Sequence, residues 1–136
     1  MSTLPEEIKD VNEHPLGKLV RPILRRLNSI SNEIEASAVM SGDGISIASE
    51  LSDGVDPDRF GAMCASLLAL ADRTVKEISR GDLKQVLVEG TEGSMLVVRI
   101  NEKAVLAVAT QPTVNLGRVF LEAKKVANLL GTNIIH

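Results

Sequence analysis

The feature that most constrains the fold is a long uncharged stretch in the middle of the chain. Twelve consecutive positions between Arg59 and Asp72 carry no charge. From here onward larger side chains recur at helical spacing, and they predict a core-facing stripe made of Phe60, Met63, Cys64, Leu67, Ala71, Val75 and Ile78. Small residues gather on the far side of the same helix: Ala62, Ala65, Ser66 and Ala69. A helix that is apolar all round is buried on both faces, so we expect a second copy of this chain to cover it.

Length and charge favour one folded domain and argue against nucleic acid as a partner. A chain of 136 residues is long enough to bury a proper core without disulfides or metals. Its 15 basic and 18 acidic residues are interspersed, so no basic stripe is present to follow a phosphate backbone. Phe60 and Phe120 are the only aromatic residues, which leaves no platform for stacking bases.

The uncharged stretch is too short to span a bilayer, which needs about 20 apolar residues, so we expect no membrane insertion. The first 13 residues contain no apolar core of a secretion signal. The single cysteine, Cys64, lies on the predicted core stripe and is interpreted as a small apolar residue rather than a reactive thiol. These features favour the cytoplasm.

Catalytic interpretations find little support in the sequence. The two histidines, His14 and His136, lie at opposite ends of the chain, so no metal site and no base-activated nucleophile is indicated. Gly17 and Lys18 resemble a phosphate-binding loop only superficially, because Leu19 stands where serine or threonine is needed. We therefore expect no enzyme activity, no cofactor and no metal.

The sequence predicts a mobile N-terminal arm over residues 1–15, a folded domain over 16–131 and a short tail over 132–136. A capping box formed by Thr3 and Glu6 predicts a helical turn within the arm. The first helix of the domain is amphipathic, with apolar residues Leu16, Leu19, Val20, Ile23, Leu24, Leu27 and Ile30. Pro22 predicts that this helix is kinked or begins at Arg21.

Alternation with period two predicts five strands, and turn residues separate them. The strands are expected at 35–40, 45–49, 83–89, 94–100 and 104–110. Asp56 and Pro57 predict the start of the middle helix, which is expected to run to about Arg80 and to stop at Gly81. Pro112 and Thr113 are expected to open a last helix that Gly131 ends. The result is an α+β domain of order αββαβββα with a five-stranded antiparallel sheet.

Apolar residues on both faces of the last two strands predict helices on both sides of this sheet. Because a sheet of five strands is over about 20 Å wide and a helix is about 10 Å across, each face needs two helices. The first and last helices supply one pair, and the middle helix is left without a neighbour. A twofold partner would place a second middle helix beside the first.

A strand edge without proline or glycine indicates the same partner. We predict that it pairs with its own copy through Leu83, Lys84, Gln85, Val86, Leu87, Val88 and Glu89. Antiparallel self-pairing would place Lys84 opposite Glu89 or Val88, depending on register. The alternative is an ordinary edge covered by a loop.

The succession of elements over residues 16–130 resembles the Roadblock domains, which are related to dynein light chains. The resemblance rests on the αββαβββα order, on the hairpin segment 42–49 with its Asp-Gly turn, and on the alanine-rich middle helix. It implies a profilin-like architecture and a homodimer with one continuous sheet. It also implies binding or regulation of a small Ras-like GTPase, or contact with another Roadblock-type chain in a motor or signalling scaffold.

Charged residues at the ends of the middle helix are the predicted contacts to such a partner. They are Asp58, Arg59, Asp72, Arg73, Lys76 and Arg80. They would form a rim around an apolar centre, as is usual at protein interfaces. Arg73 could also approach a phosphate as an arginine finger, although a solvated arginine is the more common case. Two alternatives remain: a passive scaffold subunit, and a small-ligand sensor with a pocket beneath the hairpin.

Overall fold

The structure, a computed structural model, describes residues 14–112 and 115–136. The elements in chain order are α1 (Gly17–Ile30), β1 (Ile34–Ser41), β2 (Ser46–Glu50), α2 (Pro57–Glu77), β3 (Gln85–Gly90), β4 (Gly93–Arg99), β5 (Ala104–Thr110) and α3 (Leu116–Asn133). This confirms the predicted αββαβββα order. Most of the predicted arm, residues 1–13, lies outside the described residues, as does Thr113.

The five strands form one antiparallel sheet in the order β2-β1-β5-β4-β3. Strand β5 is central because it pairs with both β1 and β4. The two edges are β2 and β3. The prediction that the strand near residues 83–89 forms an edge of the sheet is therefore confirmed.

Helices cover both faces of the sheet, as predicted, and the two faces have separate cores. On one face α1 and α3 pack against side chains such as Val39, Leu96 and Leu106. On the other face α2 packs through Cys64 and Leu68 against a second set, which comprises Ala38, Met40, Leu83, Val97, Val105 and Ala107. Val97 and Val98 illustrate the alternation, since they are neighbours in β4 but belong to different cores. Within the described residues α2 has no companion helix on its face.

Backbone contact between two glycines fixes α2 against the β1–β2 hairpin. Gly44 lies in the turn with a φ of +89°, which glycine adopts without strain. A Cβ atom on Gly61 of α2 would lie 2.3 Å from the carbonyl oxygen of Gly44. A Cβ atom on Gly44 would in turn meet the backbone of Gly61 at 2.7 Å. No side chain fits at either position, so the turn and the helix touch directly.

Two helix ends differ from the sequence prediction. Helix α2 ends at Glu77 rather than near Arg80, because Ser79 adopts the left-handed conformation with φ of 57° before Gly81 is reached. Helix α3 continues through Gly131 to Asn133. Gly131 allows close packing on β4, since a Cβ there would lie 3.4 Å from the Ile100 carbonyl oxygen. Residues 132–136 complete the helix and return to the core, where Ile135 is buried.

The starts of α1 and α3 also differ. Helix α1 begins at Gly17 and contains Pro22 in its interior, so the alternative start at Arg21 is wrong. Helix α3 begins at Leu116 instead of at Pro112. Its N-cap is Asn115, whose side-chain oxygen accepts a hydrogen bond from the Arg118 N–H at 3.3 Å.

Candidate protein-interaction surface

Helix α2 carries the surface on which the sequence predictions converge. Its first turn is held by Asp56, which accepts a hydrogen bond from the Asp58 N–H at 3.0 Å, and by Pro57 at the first helical position. The helix then runs for 21 residues, about 30 Å, across the sheet. It is therefore long enough to present separate rows of side chains to the core and to solvent.

The core-facing row differs from the predicted one at three positions. Cys64 and Leu68 are buried, and Phe60, Ala71 and Val75 pack against the same core. Met63 and Ile78 were predicted to face the core, but they are 61% and 58% exposed. Leu68, absent from the predicted stripe, occupies the core. Since apolar residues surround the helix, spacing alone did not fix which of them point inward.

An exposed apolar row lies on the side of α2 next to β3. Met63, Leu67, Leu70 and Thr74 follow one another at helical spacing and are here called the α2 flank. Leu67, Leu70 and Thr74 line an open cleft of about 380 Å³, whose opposite wall includes Gln85 and Val86. Leu70 is 63% exposed. A large apolar side chain so exposed beside a sheet edge is typical of an interaction surface.

The four small residues predicted as a dimer surface form a different row. Ala62, Ser66 and Ala69 are exposed, and Ala65 is half-buried. They share one side of the helix with Arg73, away from the cleft. Their part in a dimer stays a prediction, and the α2 flank is a second candidate for the same role.

The backbone of β3 presents every second residue to the open edge. The Arg99 N–H donates to the Lys84 carbonyl oxygen at 3.3 Å, which makes this a hydrogen-bonded pair. Such pairs alternate along an antiparallel ladder, so Val86 and Val88 also bond to β4. Gln85, Leu87 and Glu89 therefore direct their N–H and C=O groups away from the sheet.

Side chains of the edge support its exposure, with one exception. Leu87 and Val88 are 38% and 40% exposed. The side-chain oxygen of Gln85 is buried and has no hydrogen-bond partner among the described residues. Leu83, predicted to be part of the edge, instead precedes β3 and is buried in the core beneath α2. Its apolar side chain is used within the protomer.

The six predicted partner contacts lie in two groups at the ends of α2. Asp58 and Arg59 are exposed at its start. At its end Arg73 and Arg80 are exposed, whereas Asp72 is half-buried and accepts a hydrogen bond from the Lys76 ammonium at 2.8 Å. The N–H of Leu83 also donates to Asp72, at 3.4 Å. Asp72 thus links α2 to the segment that leads into β3.

These contacts change the acidity of both side chains of the pair. The hydrogen bond from Lys76 lowers the pKa of Asp72, the Leu83 N–H adds to this effect, and partial burial opposes it. The same bond raises the pKa of Lys76. In the core, burial raises the pKa of the Cys64 thiol, which keeps it neutral and unreactive.

Replacing Asp72 with Asn is expected to reduce stability at neutral pH but not at low pH. Because the folded pKa of Asp72 lies below its ordinary value, its carboxylate stabilises the fold above about pH 4, and this contribution is lost as pH falls through the lowered pKa. Urea denaturation of both proteins between pH 7 and about pH 2 measures the difference. An offset that is the same at every pH would contradict this account. Asp53→Asn, in an exposed loop, is the control.

Comparison with known proteins identifies the family. The family model described as the Roadblock/LC7 domain matches residues 22–110, from α1 to the end of β5. The chain belongs to the Roadblock/LC7 family. A Roadblock protein of Methanocaldococcus jannaschii that matches it, the uncharacterized protein MJ1340, is 37% identical over 109 residues, which are 80% of this chain and 94% of that protein.

Solved structures confirm the Roadblock fold. Myxococcus xanthus MglB superposes with a TM-score of 0.77 at 21% identity and covers 83% of this chain and 92% of its own. Acanthamoeba castellanii profilin II has a TM-score of 0.60 at 17% identity, with 81% and 94% covered. The profilin-like architecture implied by the sequence is thereby confirmed. Among the described residues of this Roadblock chain, none of the helices has the length and apolar character to cross a membrane.

Proposed function

We propose that this Roadblock chain is a non-enzymatic homodimer that binds a small Ras-like GTPase and alters its nucleotide state. The observation that carries the proposal is the continuity of two unsatisfied surfaces, namely the exposed α2 flank and the open edge of β3, which share one cleft. A second copy can satisfy both at once. The GTPase enters through what Roadblock membership implies about partners.

The edge of β3 restricts how two copies can pair. In an antiparallel ladder, residues that face each other both point their backbone groups inward or both point them outward. The outward residues are Gln85, Leu87 and Glu89, so each must oppose another outward residue of the second copy. Leu87 opposite Leu87, with Gln85 opposite Glu89, satisfies this condition. The carboxylate of Glu89 would then lie beside the Gln85 side chain of the partner.

The two registers predicted from the sequence are not equivalent under this condition. Lys84 opposite Val88 is allowed, because both residues bond inward to β4. Lys84 opposite Glu89 would set an inward residue against an outward one and leave backbone groups unpaired. Pairing through backbone groups, rather than the Lys84–Glu89 charge pair, is therefore the basis of the proposed sheet contact.

Twofold pairing at β3 would bring the α2 flank of each copy against the other. Leu67, Leu70 and Thr74 would become buried between the two helices, and the small outward row with Arg73 would remain open on top. This two-helix layer is the proposed platform for the GTPase. Its apolar centre and charged ends fit the anatomy of a protein interface. Regulation would arise from preferential binding to one arrangement of the switch segments, without chemistry from this chain.

Nucleotide turnover by a Ras-like GTPase of the same organism tests this function. Hydrolysis and nucleotide release are measured with and without this protein, and a change of at least about fivefold is expected. Arg73→Ala should weaken complex formation, whereas Arg118→Ala, an exposed arginine on α3, should not. If Arg73→Ala abolished hydrolysis while binding persisted, Arg73 would act as an arginine finger. Binding without any change in turnover would leave the scaffold function, and failure to bind any such GTPase would overturn the proposal.

A further inference from the structure

Helix α1 carries an apolar row that the fold does not use. Leu19 is 58% exposed and Ile30 is 40% exposed, although the sequence pattern placed both on the apolar face of the helix. With half-buried Ile23 they follow one row along α1. Beside this row, Ile23 and Ile30 form a cleft of about 300 Å³ with Val126 and Leu129 of α3. We call this row and cleft the outer groove.

The charge around the outer groove favours an acidic occupant. Helix α1 contains four basic residues and no acidic one: Lys18, Arg21, Arg25 and Arg26. Arg26 lines the groove together with Lys125, and the nearest carboxylate is that of Glu122, 3.5 Å from the Lys125 ammonium. A second copy docking through the same face would bring two basic helices together, which is electrostatically unfavourable.

The sequence that precedes α1 has the matching character. Leu4, Ile8 and Val11 recur at i, i+4 and i+7, the spacing of one face of a helix. The other positions carry four acidic residues and one lysine: Glu6, Glu7, Asp10, Glu13 and Lys9. Thr3 and Glu6 form the capping box noted above. The pattern predicts a short acidic amphipathic helix with a narrow apolar face.

The position of His14 brings this segment to the groove. The His14 carbonyl oxygen accepts a hydrogen bond from the Gly17 N–H at 2.9 Å, and its Nδ1 accepts one from the Leu16 N–H at 3.1 Å. The chain thus enters α1 through a tight turn. A helix over residues 3–11 would be about 13 Å long, and the row from Leu19 to Ile30 spans about 17 Å. An antiparallel helix folded back along α1 therefore fits the row.

We propose that residues 3–13 bind the outer groove of their own chain as an acidic amphipathic helix antiparallel to α1. Val11 then lies near Leu19, and Ile8 near Ile23. Because the segment is tethered a few residues from its site, its effective concentration is in the millimolar range and modest contacts suffice. Another acidic helical partner would reach this face only by displacing the segment.

Trypsin cleavage after Lys9 in the full chain tests the proposal, with a free peptide of residues 1–13 as the reference for an undocked segment. Wild type is expected to be cut at least about tenfold more slowly than the peptide. Ile8→Ser and Leu19→Ser should each accelerate cleavage about tenfold. Leu121→Ser, which changes an exposed leucine of α3 outside the cleft, should leave the rate unchanged. High salt should accelerate cleavage of wild type relative to the peptide.

Three results would overturn the proposal. The first is equal cleavage of wild type, Ile8→Ser and the peptide. The second is sedimentation of wild type with vesicles of anionic and zwitterionic phospholipid that Leu19→Ser abolishes with no effect on cleavage, since the row would then bind lipid. The third is a change in oligomer mass in Leu19→Ser with cleavage unchanged, since a second copy would then occupy the groove. Circular dichroism of every variant establishes that the fold is retained.

Discussion

Leu70→Asp is expected to leave this chain as a 14.6 kDa monomer where the wild type forms a dimer of twice that mass. Leu70 is 63% exposed in the protomer, so the substitution has little effect on the fold of one copy. In the proposed dimer two copies of Leu70 are buried, each worth about 1.5 to 3 kcal/mol. Their loss, with two carboxylates left near each other, should raise the dissociation constant roughly a hundredfold or more. Size-exclusion chromatography with light scattering measures the mass.

Ser66→Asp is the matched control, because it adds the same charge one turn earlier on the outward row. It is expected to leave the dimer intact. The opposite result, a monomer with Ser66→Asp and a dimer with Leu70→Asp, would favour the small residues Ala62, Ala65 and Ala69 as the interface. Amide hydrogen exchange gives a second measurement. The N–H groups of Gln85, Leu87 and Glu89 should be protected in the wild type and exchange rapidly in Leu70→Asp.

Gly61→Ala is expected to destabilise the protomer by about 3 kcal/mol. The added methyl group would lie 2.3 Å from the Gly44 carbonyl oxygen, and both partners are backbone, so neither can move without shifting the hairpin or α2. For a domain of this size the melting temperature should fall by about 10 °C. Thermal unfolding followed by circular dichroism measures the change.

Gly117→Ala provides the control for helix propensity. Gly117 is also a helical glycine, but a Cβ there meets only the Asn115 side chain, at an ordinary 3.4 Å. Since alanine favours a helix by about 1 kcal/mol over glycine, this variant should be unchanged or slightly more stable. If Gly61→Ala were as stable as Gly117→Ala, direct contact between the turn and the helix would not be important for stability.

The sequence was sufficient to predict the order of elements, the two-sided sheet and the edge position of β3. Each of these follows from patterns that are local, such as the change from helical to alternating spacing after Gly81. The orientation of α2 about its own axis was not predictable in the same way. Met63 and Leu68 are both large and apolar, and only the sheet beneath the helix decides which of them is buried.

Glycines were the other source of error, because one residue type serves two purposes. Gly131 was interpreted as a helix stop, yet it lies within α3 and allows the helix to approach Ile100. Gly61 gave no sequence signal at all, since its role depends on Gly44, which is distant along the chain and adjacent in space. The candidate surface was similarly incomplete. The α2 flank became recognisable only when Leu70 and Val86 were seen to line one cleft.

The alternation along β3 has a consequence for the choice of partner. Hydrogen bonds offered by Gln85, Leu87 and Glu89 come from the main chain, which is chemically the same in every protein. Such an edge distinguishes strands by phase and length, and it is indifferent to which side chains they carry. Discrimination between an identical chain and a paralogue therefore falls to Leu67, Leu70 and Thr74, and a few substitutions there would be enough to turn self-recognition into the pairing of two different gene products.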